Sequence, residues 1–203
     1  MRIWKSQKQM GASRWVLPFF VGFIAGVLVW NFGGSSLTEQ SGLLDEYTLD
    51  RVSNMELNHR VFFFYVLRHR IGVLWLLAMV SSTFAGVWFL YLYTVWLGLT
   101  GGILLSTAVI RYGIKGIFLV VTGCLPHYVF YLPAMMIALC MGYSFCTRLY
   151  YPDQNAGYDN INRRQLMIRY ILIFLLLHIV VIIGAMLESY VNPTFVLRLL
   201  RIF

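Results

Sequence analysis

Apolar residues along this chain gather into long blocks instead of alternating with polar ones. The runs 15–32, 71–110, 116–145 and 170–187 contain no Asp, Glu, Lys or Arg at all. A helix crosses the roughly 30 Å hydrocarbon core of a bilayer in about 20 residues. The blocks therefore predict an all-α, polytopic helical membrane protein with five transmembrane helices, at 15–32, 71–90, 93–110, 116–145 and 170–187. Together they form a single integral membrane domain over 1–203. No charge separates the second span from the third, and Gly98, Gly101 and Gly102 cluster there. This predicts a tight or partly buried connection, because lipid does not tolerate exposed irregular backbone. The block 116–145 is too long for one straight span. It contains Pro126 and Pro133, each of which removes a backbone donor and crowds the preceding turn, so a kinked or proline-broken fourth span is expected.

The polar segments set the rest of the layout. Residues 33–60 read as an external loop that opens on Gly33-Gly34-Ser35-Ser36 and holds Glu39, Asp45, Glu46, Asp50 and Glu56. Leu43, Leu44, Tyr47 and Leu49 give a weak helical period within it, predicting a short surface helix. Residues 61–70 start aromatic and end basic, as an interfacial helix lying flat before the second span would. A polar loop over 148–169 turns at Tyr150-Tyr151-Pro152-Asp153, and a short amphipathic tail with Arg198 and Arg201 follows Asn192-Pro193.

Charge refines this picture. Arg2, Lys5, Lys8 and Arg14 precede the first block, the layout of a signal peptide or signal anchor. No small-residue cleavage site follows, and Trp30 stands where one would be needed, so an uncleaved first span with a cytoplasmic N-terminus is expected. The loop 33–60 then falls outside and the loop 148–169 inside. Over 203 residues the chain is 60% hydrophobic and only 12% charged, with a mean hydropathy of +0.73. Eight acids and sixteen bases cannot clothe a soluble domain of this size. The net charge of +8 sits beside apolar runs, where membrane lipids with anionic head groups would meet it. No nucleic-acid-binding motif accompanies it. Cys124, Cys140 and Cys146 form no C-x-x-C pair and read as small buried hydrophobes.

Candidate chemistry is sparse. Gly22 and Gly26 form a GxxxG in the first span, and Ser82 and Gly86 a small-xxx-small in the second; both read as helix contacts within one chain. His127, His178 and Glu188 are ionisable groups in or at the end of spans, and such groups have a partner or a task. A hydrogen-bonded structural site is the expected reading, with Arg111 and Lys115 as partners for Glu188. A Glu188–His127 proton relay is the sharper alternative. No paired acids, no nucleophile beside a base, no metal-ligand spacing and no phosphate loop occur. Catalytic, cofactor-binding and metal residues are therefore all expected to be none, with no cofactor and no enzymatic activity.

Two segments carry a resemblance. The run Leu125-Pro126-His127-Tyr128-Val129-Phe130-Tyr131-Leu132-Pro133-Ala134 resembles the Leu-Pro-His-Gly-x-x-Glu-Leu-Pro-Ala segment of the stage II sporulation protein M family. The run Ala185-Met186-Leu187-Glu188-Ser189-Tyr190-Val191-Asn192-Pro193 resembles that family's closing Ala-x-x-Glu-x-Tyr-x-x-Pro. Tyr128 replaces a frequent glycine and Tyr131 a frequent glutamate. Pro126, His127, Pro133, Glu188, Tyr190 and Pro193 are the motif positions, expected to be structural. The resemblance implies a multi-pass protein of the bacterial cytoplasmic membrane without catalysis of its own. Sporulation members anchor or recruit membrane-anchored peptidoglycan hydrolases in cell-wall remodelling during forespore engulfment. A transporter or permease subunit is the alternative that the broken fourth span suggests. Neither the sequence nor the resemblance fixes an oligomeric state.

Overall fold

The computed structural model describes residues 2–41, 59–151 and 163–191. They form α1 (Arg2–Ser41), α2 (His59–Ser81), α3 (Gly86–Tyr112), α4 (Ile114–Tyr150) and α5 (Arg163–Met186), the last running into a π-helical turn, Leu187–Val191. All five helices are long and apolar enough to cross a membrane. The chain is an all-α, multi-pass membrane protein, as the blocks of apolar residues predict. The surface helix expected over 43–49, the amphipathic tail and Pro193 lie outside the described residues.

Three expectations about boundaries need correction. The break between second and third helices falls at 82–85, not at 91–92, so Tyr91 lies inside α3. Hydropathy runs unbroken through this region, and hydroxyls make the break instead. Ser82 Oγ donates to the Met79 carbonyl at 2.6 Å and Thr83 Oγ1 to that of Val80 at 2.7 Å. Side chains from the end of α4 then take up the turn's own carbonyls: Tyr150 OH donates to Ser82 O, Tyr151 OH to Phe84 O and Cys146 Sγ to Thr83 O. Ser82 is thus an exposed turn residue rather than part of a helix-contact face, while Gly86 is buried at the start of α3. Residues 61–70 form no separate interfacial helix and belong to α2, while α1 continues to Ser41, into the stretch expected to be loop.

The expected break in the fourth span does not occur, because α4 runs unbroken for 37 residues with Pro126 and Pro133 inside it. Neighbouring helices and local adjustments can re-satisfy the backbone groups that a proline frees, so a membrane helix continues past it, and α1 likewise contains Pro18. At about 1.5 Å per residue α4 is about 55 Å long, so its length is accommodated by reaching past the thickness of the hydrocarbon core rather than by folding back.

Two packing modes hold the helices. The core joins α2, α3, α4 and α5 through Leu74, Leu77, Leu90, Ala138, Leu139, Phe174 and Leu177. Within it Phe145 stacks on Tyr170 with ring centroids 4.2 Å apart. The Tyr170 hydroxyl bonds Ser81 and donates to the Ala78 carbonyl at 3.0 Å. In contrast, α1 lies parallel to α3 through glycine. A Cβ at Gly22 would strike the Val95 carbonyl and one at Gly26 that of Leu99, while Gly98 and Gly102 face the carbonyls of Phe19 and Phe23. Gly98 and Gly102, expected to form a connection between spans, therefore form a helix face. Gly22 and Gly26 are internal contacts. At the start of the apolar part of α1, buried Trp15 packs on Tyr91 at 5.1 Å and on the edge of Tyr143 at 6.0 Å, and Arg14 Nη1 donates to Tyr143 OH at 2.8 Å.

This packing predicts a sharp positional contrast. Gly98→Ala forces the α1 and α3 backbones apart and is expected to destabilise the protein by about 1–3 kcal/mol. At Gly101 an added Cβ meets only a Phe23 ring carbon at 3.9 Å, so Gly101→Ala should stay within about 0.5 kcal/mol of wild type. Unfolding in mixed micelles by a denaturing detergent measures both.

Candidate functional site

Arg70 is the twelfth of the 23 residues of α2, so a guanidinium sits at the middle of a candidate span. Insertion of a charge at such a position costs about 2.5–3.5 kcal/mol unless it finds a partner. Arg70 finds Glu188, at the end of α5. Arg70 Nη2 donates to Glu188 Oε1 at 3.0 Å and to Oε2 at 3.2 Å, and Nε donates to Oε2 at 3.3 Å. The planar fork of arginine matches a carboxylate in this way, and the bonds are charge-assisted. The side chains are 32% and 16% exposed respectively. The ion-pair partner of Glu188 is thus Arg70 and not Arg111 or Lys115, which belong to the other helical hairpin of α3 and α4.

Other helices complete the cluster. The Arg70 guanidinium carbon lies 4.5 Å from the centre of the Tyr131 ring, in a cation–π contact. Tyr131 stands where the resembled family frequently has glutamate, so its ring supplies attraction without a second negative charge. Gly184 makes room for it, because a Cβ there would run into the Tyr131 ring. One turn earlier on α4, His127 meets the Tyr131 ring edge-on at 5.6 Å and Tyr128 at 4.9 Å. His127 is 5% and Tyr131 8% exposed. The π-helical turn Leu187–Val191 changes the register at the end of α5, a device frequent at functional sites. There His59 Nδ1 donates to the Ser189 carbonyl at 3.0 Å, and its ring stacks on Tyr190 at 5.6 Å. The start of α2 is thereby tied to the end of α5, above the ion pair.

Of the motif positions, Glu188 pairs with Arg70 and His127 packs on the Tyr131 ring beside it, while Tyr190 stacks on His59 at the start of α2. Pro126 is half-buried and Pro133 exposed on α4. No hydrogen bond joins His127 to Glu188 among the described residues, where His127 Nδ1, the Tyr131 hydroxyl and Ser189 Oγ are buried without a partner. His178 belongs elsewhere: its Nδ1 lies 2.6 Å from the Phe174 carbonyl one turn back, and its ring meets Trp75. Among the described residues no group of three or more His, Cys, Asp or Glu could hold a metal ion.

Arg70, His59 and Ser189 are the members that sequence reasoning missed, although a signal for Arg70 was present. Seven of the eight acids lie in the polar segments, and Glu188 alone adjoins apolar sequence. A lone acid in a bundle needs a base at matching depth, and Arg70 heads the second apolar block.

A double-mutant cycle checks the pair. Glu188→Gln leaves the guanidinium uncompensated and is expected to destabilise by about 2–4 kcal/mol, whereas Arg70→Met with Glu188→Leu should be less destabilised than either single change. The same micelle unfolding reads the coupling, and additive effects would exclude the pair as a brace.

The chain matches the family model described as Stage II sporulation protein M over residues 15–193. This stretch runs from the start of the first apolar block through Pro193 and includes the Arg70–Glu188 cluster. No curated protein and no solved structure matches the chain. With 179 of its 203 residues inside the matched stretch, the chain belongs to the Stage II sporulation protein M family.

Proposed function

We propose that this protein is a non-catalytic scaffold of the bacterial cytoplasmic membrane, with its N-terminus in the cytoplasm, that anchors or recruits membrane-anchored peptidoglycan hydrolases in cell-wall remodelling during engulfment. The observation that carries this reading is the use of Glu188. The single acid adjoining apolar sequence is spent on Arg70, in a contact that ties α2 to α5. Its charge is committed to holding helices together and not offered to a substrate. Family membership supports the sporulation setting. A transporter or permease subunit is the competing reading, and the buried His127 Nδ1, which has no hydrogen-bond partner among the described residues, favours it.

The test separates the two readings. The protein is recovered from its native membrane with a mild detergent, and bound proteins are identified by mass spectrometry. The scaffold reading expects cell-wall hydrolases. With Glu188→Gln, abundance and hydrolase recovery should fall together. Retained abundance and partner binding with lost function would instead show Glu188 to carry charge in transport.

Orientation has its own check. In a chain stripped of native thiols, Ser41→Cys should react with an impermeant thiol reagent in intact cells. Gly157→Cys should react only after permeabilisation, and the reverse pattern would invert the topology.

A further inference from the structure

The outward face of α2 carries charge where lipid offers it no answer. Tyr65, Arg68, Gly72, Leu76 and Met79 recur at helical spacing, flanked by His69 and Trp75, and all seven are exposed. Val66, Leu74 and Leu77 on the opposite face are buried. Arg68 is the tenth and His69 the eleventh of the helix's 23 residues. Unlike Arg70, neither forms a hydrogen bond or an ion pair with another described residue. Ionisable groups at such positions face protein or water as a rule, and pair.

Gly72 lies one turn beyond Arg68 on this face. Gly22, Gly26, Gly98 and Gly102 are each pressed against a neighbouring backbone, whereas a Cβ at Gly72 would meet nothing within 4 Å. A small residue on an open helix face lets a second helix approach closely. Unanswered charge and an open notch are independent features, and they coincide.

We propose that this face of α2 is the docking surface for a partner's membrane helix that carries a carboxylate level with Arg68 and His69 and crosses α2 at Gly72. The proposal rests on the scaffold reading and names its surface and the chemistry of its partner. A lipid would answer Arg68 with its head group and cover Leu76 and Met79 with its acyl chains, but it has no use for the open glycine at Gly72, one turn from the charge. A second copy of this chain fits poorly, since α2 against α2 opposes like charges and Glu188 is already held by Arg70.

Site-specific photo-crosslinking in native membranes tests it. A photoreactive residue is placed at Leu76 or Met79, or on the outward face of α5 at Leu172 or Ile179, all of them exposed. The α2 sites should join to a membrane protein whose crosslinked helix contains Asp or Glu, and the α5 sites should not. Arg68→Glu should cut the adduct about tenfold, and changing the partner's acid to Arg should restore it. Gly72→Leu fills the notch without touching the chain's own fold, so it should remove the adduct at unchanged abundance. Adducts to lipid alone, to a second copy, or from α5 alone would overturn the proposal, as would adducts indifferent to Arg68→Glu and Gly72→Leu. Hydrolases that co-purify without any α2 adduct would defeat this surface and leave the scaffold reading standing. Failure to recover any partner would defeat the scaffold reading itself.

Discussion

Hydrocarbon gives a polar group nothing to bond, and the structure follows from that constraint. Several polar features near the bundle's interior are answered by another part of the chain. The turn 82–85 leaves carbonyls exposed, and Tyr150, Tyr151 and Cys146 at the end of α4 bond them. Ser81 and Tyr170 answer each other between α2 and α5. Arg70 and Glu188 do the same nearer the opposite end of these two helices. In water such pairs would add little, since solvent competes for every bond. In lipid the alternative is an unanswered charge, so the pairs fix which helices are neighbours and in what register.

A second consequence is that burial of apolar surface cannot hold helix to helix, because lipid tails are as apolar as leucine. The chain has two substitutes and divides them by region. The α2–α4–α5 side relies on polar pairs set among close-packed Leu, Ala and aromatic residues. Among the described residues the α1–α3 side has no such pairs, and it relies on backbone approach at Gly22, Gly26, Gly98 and Gly102. Arg14, Trp15, Tyr91 and Tyr143 join the two regions at one end. This explains why α1, whose large apolar residues such as Leu17, Phe20 and Ile24 are mostly exposed, still has a defined place.

What could be read from sequence tracks the range of the interaction responsible. The helices were legible because about 20 consecutive apolar residues leave few alternatives. Gly22 and Gly26 were legible because helix periodicity sets them on one face. The boundary between α2 and α3 was not, since Ser82 and Thr83 can end a helix or continue it. The outcome depends on Tyr150 and Tyr151, far along the chain. The prolines misled for a similar reason: Pro126 and Pro133 remove donors, but neighbouring helices decide whether α4 breaks. Arg70 was obscured by its company, because Arg68-His69-Arg70 after an aromatic run looks like an interfacial border. Only the continuity of α2 from His59 to Ser81 places that trio mid-helix, and only the fold turns Arg70 inward and Arg68 and His69 outward.

That division of one basic trio bears on how the protein works. The inward cluster sets one cation against one anion, with the Tyr131 ring in place of a second carboxylate. A glutamate at that position would leave Arg70 facing two negative charges, and the excess would need a further base or a proton. Tyrosine avoids this, since its ring attracts the guanidinium while remaining uncharged, and Gly184 is shaped to receive the ring. The charge of the inner cluster is therefore balanced within the chain, which suits bracing better than transferring charge. Among the described residues, the outward half of the trio has no such closure. The same helix that settles its inner charge internally presents Arg68 and His69 beside an open glycine, and within this chain's spans no acid remains to meet them. The imbalance that a scaffold needs in order to recruit something else lies on α2's outer face, not in the buried cluster.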